Sequence, residues 1–261
     1  MIRLDGVGQV FDGREGQVTA LEEIDLHVRP GEFVTLIGRS GCGKSTLLRL
    51  IAGLLPPTYG EVRVADEPVT RPRRDVSFMF QRPALLPWRS VLSNVMLPVE
   101  IEGDKGRAAY RDRAHELLEL VGLKGFEGRL PHELSGGMQQ RVSLCRSLIR
   151  DPQVMLMDEP FSALDALTRT ELSGELQRIK MELSTTIVFV THSIEEAVVL
   201  ADRVVVLTPR PGRVREVVDI DIPRPRSLGR NAHLTEVAEI SGLLHGLLAE
   251  KEARPVDEVR P

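Results

Sequence analysis

The chain has 261 residues, of which 42% are hydrophobic and 28% are charged, a composition that supports a sizeable globular core. Its formal net charge of −4 excludes a general positive field for binding nucleic acid, so no nucleic-acid partner is expected. Its two cysteines, Cys42 and Cys145, lack metal-ligand spacing and fit a reducing compartment.

The beginning of the sequence has no basic region followed by an apolar stretch, so no signal peptide is expected. No segment approaches the ~18–20 continuous apolar residues that a membrane-spanning helix needs. We therefore expect a protein that is soluble by itself and reaches a membrane only through a partner.

The pattern of apolar residues predicts an α/β core. Five short apolar runs, several without polar alternation, are typical of strands buried on both faces of a parallel sheet. They cover residues 33–37, 76–80, 154–157, 187–190 and 204–207. Helical spacing at 45–52 and 107–121, each ended by a glycine, indicates intervening helices. Residues 2–28 and 61–64 are predicted to be antiparallel additions to this core.

Helical spacing replaces the strand pattern between residues 82 and 150, which predicts a helical subdomain inserted into the core. At its start, two prolines keep the apolar segment 83–88 out of a regular helix. We predict a main domain over 1–220, followed at 221–261 by a linker, an amphipathic helix and a frayed tail. The apolar stripe of that last helix consists of Leu234, Val237, Ile240, Leu244 and Leu247.

A glycine-rich run follows the first predicted core strand and opens a helix, which is the context of a phosphate-binding loop. It consists of Gly38, Arg39, Ser40, Gly41, Cys42, Gly43, Lys44, Ser45 and Thr46. Its glycines let backbone amides approach phosphates, and the helix start attracts negative charge. Lys44 can reach the β- and γ-phosphates, Ser45 can ligate Mg²⁺ and Thr46 can support the α-phosphate. Cys42, beside Lys44, is either a reactive thiol or a small residue that merely fits.

Three further strands are followed by polar residues, and the carboxyl ends of strands in α/β sheets meet at one ligand-binding edge. Asp158 is predicted to hold Mg²⁺, and Glu159 to orient and deprotonate an attacking water. His192 is predicted to contact the γ-phosphate, with an ordinary loop histidine as the alternative. Gln81 is predicted to ligate Mg²⁺ and to mark the hinge of the helical subdomain.

A second anion site is indicated at residues 134–141, Leu-Ser-Gly-Gly-Met-Gln-Gln-Arg. Ser135 can cap a helix, and Gly136 and Gly137 would expose the amides at its start. Two phosphate-binding helix starts are hard to explain with one nucleotide held by one subunit. They make sense if each subunit completes the site of another.

Taken in order, these motifs resemble those of ATP-binding cassette (ABC) transporter ATPases over about residues 2–220. The motifs are the phosphate loop, Gln81, the run 134–141, Asp158-Glu159, the loop 162–165 (Ser-Ala-Leu-Asp) and His192. The resemblance implies a P-loop NTPase core with an antiparallel β-subdomain and an inserted helical subdomain. It also implies ATP and Mg²⁺ as cofactors, and a head-to-tail homodimer with two ATP molecules at its interface.

The resemblance gives roles to residues outside the phosphate loop. One subunit's signature residues would face the nucleotide held by the other subunit. They are Ser135, Gly136, Gly137 and Gln139. Asp165 matches the loop that communicates across the dimer. Phe11 matches an aromatic residue that stacks on adenine, with a packed core phenylalanine as the alternative.

Residues 80–88 and 219–226 resemble the nitrate/sulfonate/taurine importer branch. The predicted function is the ATP-hydrolysing energy-coupling subunit of an importer for one of these or a similar small solute. Transmembrane permease subunits would hold it at the cytoplasmic face of the membrane, and a solute-binding protein would act indirectly. Segment 85–88 would contact a coupling helix of the permease, with local packing inside the helical subdomain as the alternative. The alternatives are a soluble ABC ATPase acting on ribosome or DNA, and a GTPase or small-molecule kinase, which would leave residues 134–141 unexplained.

Overall fold

The computed structural model describes residues 1–13, 16–101, 103, 107–226 and 233–249. Its strands form two sheets. In chain order they are β1 (Ile2–Gly13), β2 (Gly16–Val28), β3 (Phe33–Ile37), β4 (Tyr59–Val64), β5 (Glu67–Pro68), β6 (Val76–Met79), β7 (Val154–Asp158), β8 (Thr186–Val190), β9 (Arg203–Leu207) and β10 (Val214–Asp219). The first sheet, in the order β2-β1-β4-β5, is antiparallel and confirms the predicted additions.

The second sheet has the order β10-β9-β3-β8-β7-β6. Its strands from β9 to β6 run parallel to their neighbours, whereas β10 is antiparallel to β9. All five predicted core strands are confirmed, although β6 ends at Met79, one residue before the predicted end. Strand β10 was not predicted, because its side chains are half-buried or exposed and leave no continuous apolar run.

Helices cover both faces of the second sheet. They are α1 (Lys44–Ile51), α2 (Val91–Val95), α3 (Leu97–Ile101), α4 (Arg107–Leu120), α5 (Gly136–Leu148), α6 (Ala166–Glu182), α7 (Ile194–Leu200) and α8 (Leu234–Ala249), with a 3₁₀ turn at Pro131–Glu133. Within the described part of 82–150 every regular element is helical, as the sequence predicts. No helix in the described ranges combines the length and the apolar character needed to cross a membrane.

Two apolar clusters lie on opposite faces of the parallel sheet. Leu36 and Leu47 belong to the cluster between this sheet, α1 and the antiparallel sheet. Phe33 and Phe189 belong to the other, beneath the helical subdomain, α6 and α7, with ring centroids 5.9 Å apart. Each such side chain contributes about 1.5–3 kcal/mol when fully buried. The central strands β3, β7 and β8 are thereby buried between two layers, and their ends lead to loops at the edge of the sheet.

The segment after β10 packs onto the core. Arg226 is only 5% exposed, and its guanidinium donates to the carbonyl oxygens of Val198 (2.8 Å) and Ala201 (2.7 Å) at the end of α7. It also donates to the carbonyl oxygens of Ile220 (3.1 Å) and Ile222 (2.6 Å). Burial lowers the pKa of Arg226 to about 10. A cation at a helix end satisfies carbonyls that lack a partner within the helix.

Helix α8 packs against α7. Leu244 is fully buried, and Val237, Ile240 and Leu247 are partly buried against the same cluster, as the predicted stripe requires. The side chain of Leu234 and the predicted tail lie outside the described residues. The division of the chain at residue 220 stays a prediction.

Replacing Arg226 with methionine is expected to destabilise the fold by about 2–4 kcal/mol, because it leaves several buried carbonyl oxygens without a donor. Urea unfolding followed by circular dichroism measures the effect. Arg3→Met, on an exposed residue of β1, is the matched control and should change stability by less than about 0.5 kcal/mol. Equal midpoints for the two variants would show that the buried guanidinium contributes nothing.

Candidate functional site

The predicted phosphate loop, residues 38–46, connects the carboxyl end of β3 to the start of α1. Gly41 and Gly43 have φ of 78° and 101°, a left-handed conformation that favours glycine. A Cβ on Gly43 would also lie 2.5 Å from Leu21 Cδ2. Because the first amides of a helix have no partner within it, this loop can donate several hydrogen bonds to an anion.

Lys44 is folded back across this loop and is 6% exposed. Its Nζ donates to the carbonyl oxygens of Gly38 (2.8 Å) and Arg39 (3.3 Å), so its amino group lies inside the turn. A positively charged side chain surrounded by amides at a helix start attracts phosphate. The loop therefore has the local arrangement that the sequence predicts.

Asp158 and Ser45 are brought together from the end of β7 and the start of α1. The Ser45 hydroxyl donates to Asp158 Oδ1 (2.7 Å). Burial raises the pKa of the Asp158 carboxyl, while the hydrogen bond from Ser45 opposes that rise. A hydroxyl and a half-buried carboxylate are oxygen ligands of the kind that Mg²⁺ prefers. This donor set fits the predicted metal.

Glu159 follows Asp158 and has φ of 46°, a left-handed conformation that is costly for a residue with a side chain. Its amide donates to the carbonyl oxygen of Val190 (3.0 Å), which ties the ends of β7 and β8 together. The His192 ring follows β8, and its Nδ1 lies 3.6 Å from Glu159 Oε2. Glu159 and His192, two of the four side chains predicted to be catalytic (with Lys44 and Gln81), are therefore neighbours.

Gln81 approaches the same edge indirectly. Its Nε2 donates to Ser162 Oγ (3.1 Å), and the Ser162 hydroxyl donates to the carbonyl oxygen of Glu159 (2.9 Å). In this arrangement Ser45 and Asp158 meet directly, whereas Gln81 contacts the loop that follows Glu159.

A cavity of about 260 Å³ lies over the phosphate loop. Its wall includes residues 40–46, with Ser40 and Thr46 among them, and also Phe11, Val18 and Glu159. Phe11 is 40% exposed, so the packed-core alternative is wrong. An exposed aromatic side chain beside a phosphate loop is placed where a nucleotide base could stack.

Arg210 also lines this cavity and was not predicted. Its guanidinium donates to the carbonyl oxygen of Gly41 (3.3 Å) from the loop after β9. Because β9 is paired with β3, that loop must border the phosphate loop. His192 was predicted because polar residues that follow parallel strands meet at one edge of the sheet. The same reasoning, applied to the residues after the last core strand, would have indicated Arg210.

The second predicted anion site lies at the start of α5. Ser135 caps this helix by accepting from Met138 N (3.3 Å), as predicted. Gln139 is turned back, and its Nε2 donates to the carbonyl oxygens of Pro131 (3.0 Å) and Leu134 (3.3 Å). A Cβ on Gly136 would meet nothing within 4 Å, so this residue borders open space.

Asp165 caps the neighbouring helix α6. It accepts from the Thr168 backbone amide (3.0 Å) and the Thr168 hydroxyl (2.7 Å), and these bonds lower the pKa of its carboxyl. A Cβ on Gly137 would lie 2.5 Å from Thr168 Cγ2, so the starts of α5 and α6 are in contact.

The predicted residues thus form two groups within the described part of this chain. One group lines the cavity over the phosphate loop or is linked by hydrogen bonds or ion pairs to residues that line it, as Asp158 is through Ser45 and His192 is through Glu159. The other, at the starts of α5 and α6, contributes no residue to the wall of that cavity. It consists of Ser135, Gly136, Gly137, Gln139 and Asp165.

A model of the ABC transporter family matches residues 21–162, which is more than half of the chain. The chain belongs to this family. Three import proteins of the family illustrate the similarity. The nitrate import ATP-binding protein of Synechococcus elongatus is 47% identical over 228 residues, which are 86% of this chain and 35% of that protein.

The other two relatives cover nearly the same length as this chain. The aliphatic sulfonates import ATP-binding protein of Bacillus cereus is 43% identical over 226 residues, 87% of this chain and 88% of the relative. The taurine import ATP-binding protein of Burkholderia thailandensis is 43% identical over 253 residues, 97% of each chain. The resemblance to this branch of ABC proteins is confirmed.

The fold is that of an ABC cassette. A dimeric ATP-binding cassette in a post-hydrolysis state, bound to ADP and Pi, matches with a TM-score of 0.75 and 33% identity. The match covers 85% of this chain and all of that one. The predicted fold class, with its parallel core, antiparallel sheet and helical insertion, is confirmed.

Two residues of the ABC phosphate loop have contacts that the sequence does not suggest. Arg39 donates from its guanidinium to the carbonyl oxygen of Leu248 (3.3 Å), which links the loop to the end of α8. Cys42 is 1% exposed, and a Cβ on Gly38 would lie 2.7 Å from its Sγ. This burial favours the alternative interpretation of Cys42 as a small residue that fits under the loop.

Proposed function

We propose that this chain is the ATP-hydrolysing, energy-coupling subunit of an ABC importer and that it acts as a head-to-tail homodimer. The observation that carries the proposal is the separation of the site residues into two groups. One chain holds a nucleotide cavity whose wall lacks the signature residues, and it presents those residues on another helix start. Two copies related by a twofold axis can combine the groups into two equivalent sites. The dimeric cassette with ADP and Pi supports this arrangement.

In this proposal the phosphate loop and Lys44 bind the ATP phosphates, and Phe11 stacks on the base. Ser45, Asp158 and Gln81 would hold Mg²⁺, which neutralises charge on the β- and γ-phosphates when it is bound. Glu159 orients the attacking water and accepts its proton.

His192, beside Glu159, contacts the γ-phosphate. Ser135, Gly136, Gly137 and Gln139 of the other subunit close over the same phosphate, and Asp165 lies at the same interface. Closure of the dimer therefore completes the site.

The transported solute is inferred from the relatives, whose names describe nitrate, aliphatic sulfonate and taurine import. We infer nitrate, a sulfonate, taurine or a similar small solute, delivered by a binding protein. The permease would hold the dimer at the cytoplasmic face of the membrane. Trp88, which is 73% exposed beside the partly buried Leu85, gives the segment 85–88 an apolar surface that suits a permease helix.

The proposal predicts Mg²⁺-dependent ATP hydrolysis by the purified chain, abolished by EDTA. In proteoliposomes that contain a permease and binding protein of the nitrate, sulfonate or taurine type, the matching solute should stimulate hydrolysis and enter the vesicles. Phosphate release and uptake of labelled solute are the measurements. If ribosomes or DNA stimulate hydrolysis and no such permease affects it, the importer assignment is wrong.

A further inference from the structure

Arg169, in the first turn of α6, joins the loop before this helix to α7. Its Nη2 donates to the carbonyl oxygen of Leu164 (3.1 Å), and its Nε lies 3.5 Å from Glu196 Oε1. Leu164 belongs to the loop 162–165, whose last residue caps α6. One side chain therefore contacts both the loop and α7.

Glu196 extends this connection to the residues on either side of His192. Glu196 is buried, and its Oε2 accepts from Thr191 Oγ1 (2.5 Å). The Ser193 amide donates to the same Thr191 hydroxyl (3.0 Å), and the Glu196 amide donates to Ser193 Oγ (3.2 Å). These hydrogen bonds connect both neighbours of His192 to Glu196, so the position of the turn 191–193 depends on Glu196.

The ionisable groups around Glu196 come from three directions. Arg169 faces it from α6, and His192 and Glu159 face it from the ends of β8 and β7. Burial raises the pKa of the Glu196 carboxyl, whereas the Thr191 hydrogen bond and the charge of Arg169 lower it. A buried carboxylate is stabilised by a well-placed cation, so its position depends on that of Arg169.

We propose that Arg169 and Glu196 are positioning residues that transmit the position of the loop 162–165 to His192. This inference rests on the proposed function, in which that loop faces the second subunit. His192 Nδ1 lies 3.6 Å from Glu159 Oε2, so a small shift of the histidine changes the surroundings of the water-activating carboxylate. Contact with the second subunit would thereby adjust hydrolysis within the first.

The first test compares Arg169→Gln with Arg178→Gln, the same change at an exposed position on α6. We expect R169Q to lower the single-turnover rate of ATP hydrolysis about 10-fold, while the affinity for ATP stays close to that of R178Q. Arg169→Lys keeps the positive charge and should recover most of the rate. A rate for R169Q equal to that of R178Q would overturn the inference.

The second test asks whether Arg169 acts through His192. In a His192→Ala background, R169Q should cause no further loss of rate, because two residues on one path are not additive. A general structural role would instead lower the rate by the same factor in both backgrounds, and that result would contradict the proposal.

A substitute variant and the wild-type rate distinguish failure of this inference from failure of the proposed function. If R169Q does not fold, Glu196→Gln takes its place and should give the same loss in the wild-type background and none in the His192→Ala background. If the wild-type chain hydrolyses no ATP, the proposed function fails and this inference fails with it. If the wild type hydrolyses ATP while the R169Q and E196Q rates match R178Q, only this inference fails.

Discussion

Replacing Glu159 with glutamine is expected to reduce ATP hydrolysis by at least about 100-fold while ATP still binds. The amide cannot accept the proton of the attacking water, yet it occupies the volume of the carboxylate. The phosphate loop, Lys44 and the cavity wall are unchanged by this substitution, so affinity for ATP should be retained. Phosphate release and fluorescent ATP binding measure the two properties separately.

The same Glu159→Gln variant should accumulate as an ATP-bound dimer, because hydrolysis no longer reopens the interface. Light scattering with and without ATP measures this change in mass. Glu182→Gln, at an exposed position near the end of α6, is the control and should hydrolyse ATP like the wild type. If the Glu159→Gln variant stays monomeric and hydrolyses ATP at the wild-type rate, Glu159 is not the general base and the nucleotide site is not shared between two subunits.

Adding Gly136→Trp to Glu159→Gln is expected to abolish the ATP-dependent dimer without affecting ATP binding by the monomer. A Cβ on Gly136 would meet nothing within 4 Å in its own chain, so a side chain can leave the backbone there without a clash. In the proposed head-to-tail dimer the nucleotide of the other subunit would fill that open space, and the indole would exclude it. The loss should exceed about 100-fold in dimer affinity, equivalent to about 2.7 kcal/mol.

Gly128→Trp in the same Glu159→Gln background is the matched control. Gly128 also has open space around it but lines a different cavity, together with residues of α2 and α4. This control variant should dimerise with ATP as the single variant does. If the Gly136→Trp variant also dimerises normally, the signature residues do not face the second nucleotide.

Much of the candidate site was predictable because its parts are short and local. The phosphate loop needs glycines, a lysine and a hydroxyl at fixed spacing between one strand and one helix, so nine consecutive residues carry its geometry. Asp158, Glu159 and His192 each follow an apolar run, and the ends of neighbouring parallel strands must lie close together. The Ser45–Asp158 hydrogen bond shows that this reasoning placed two distant segments correctly.

The elements that escaped prediction lack such local patterns. Strand β10 carries half-buried and exposed side chains, so the pattern of its residues does not distinguish it from a loop. Phe11 left two interpretations open, because a lone aromatic residue in a strand can face either the core or a ligand. Its exposure was decided by the hairpin of β1 and β2, which places it over the phosphate loop.

The sequence by itself determined the nucleotide-binding chemistry and the parallel strands, since those depend on residues close together in the chain or on apolar runs. Only the tertiary structure decided that Arg226 closes the end of α7, that Arg39 reaches α8, and that Arg169 joins the loop 162–165 to Glu196. Arginine side chains are long and occur throughout the surface, so the sequence does not indicate which ones pair. Their partners are fixed only when elements distant in the sequence, such as α6 and α7, pack together.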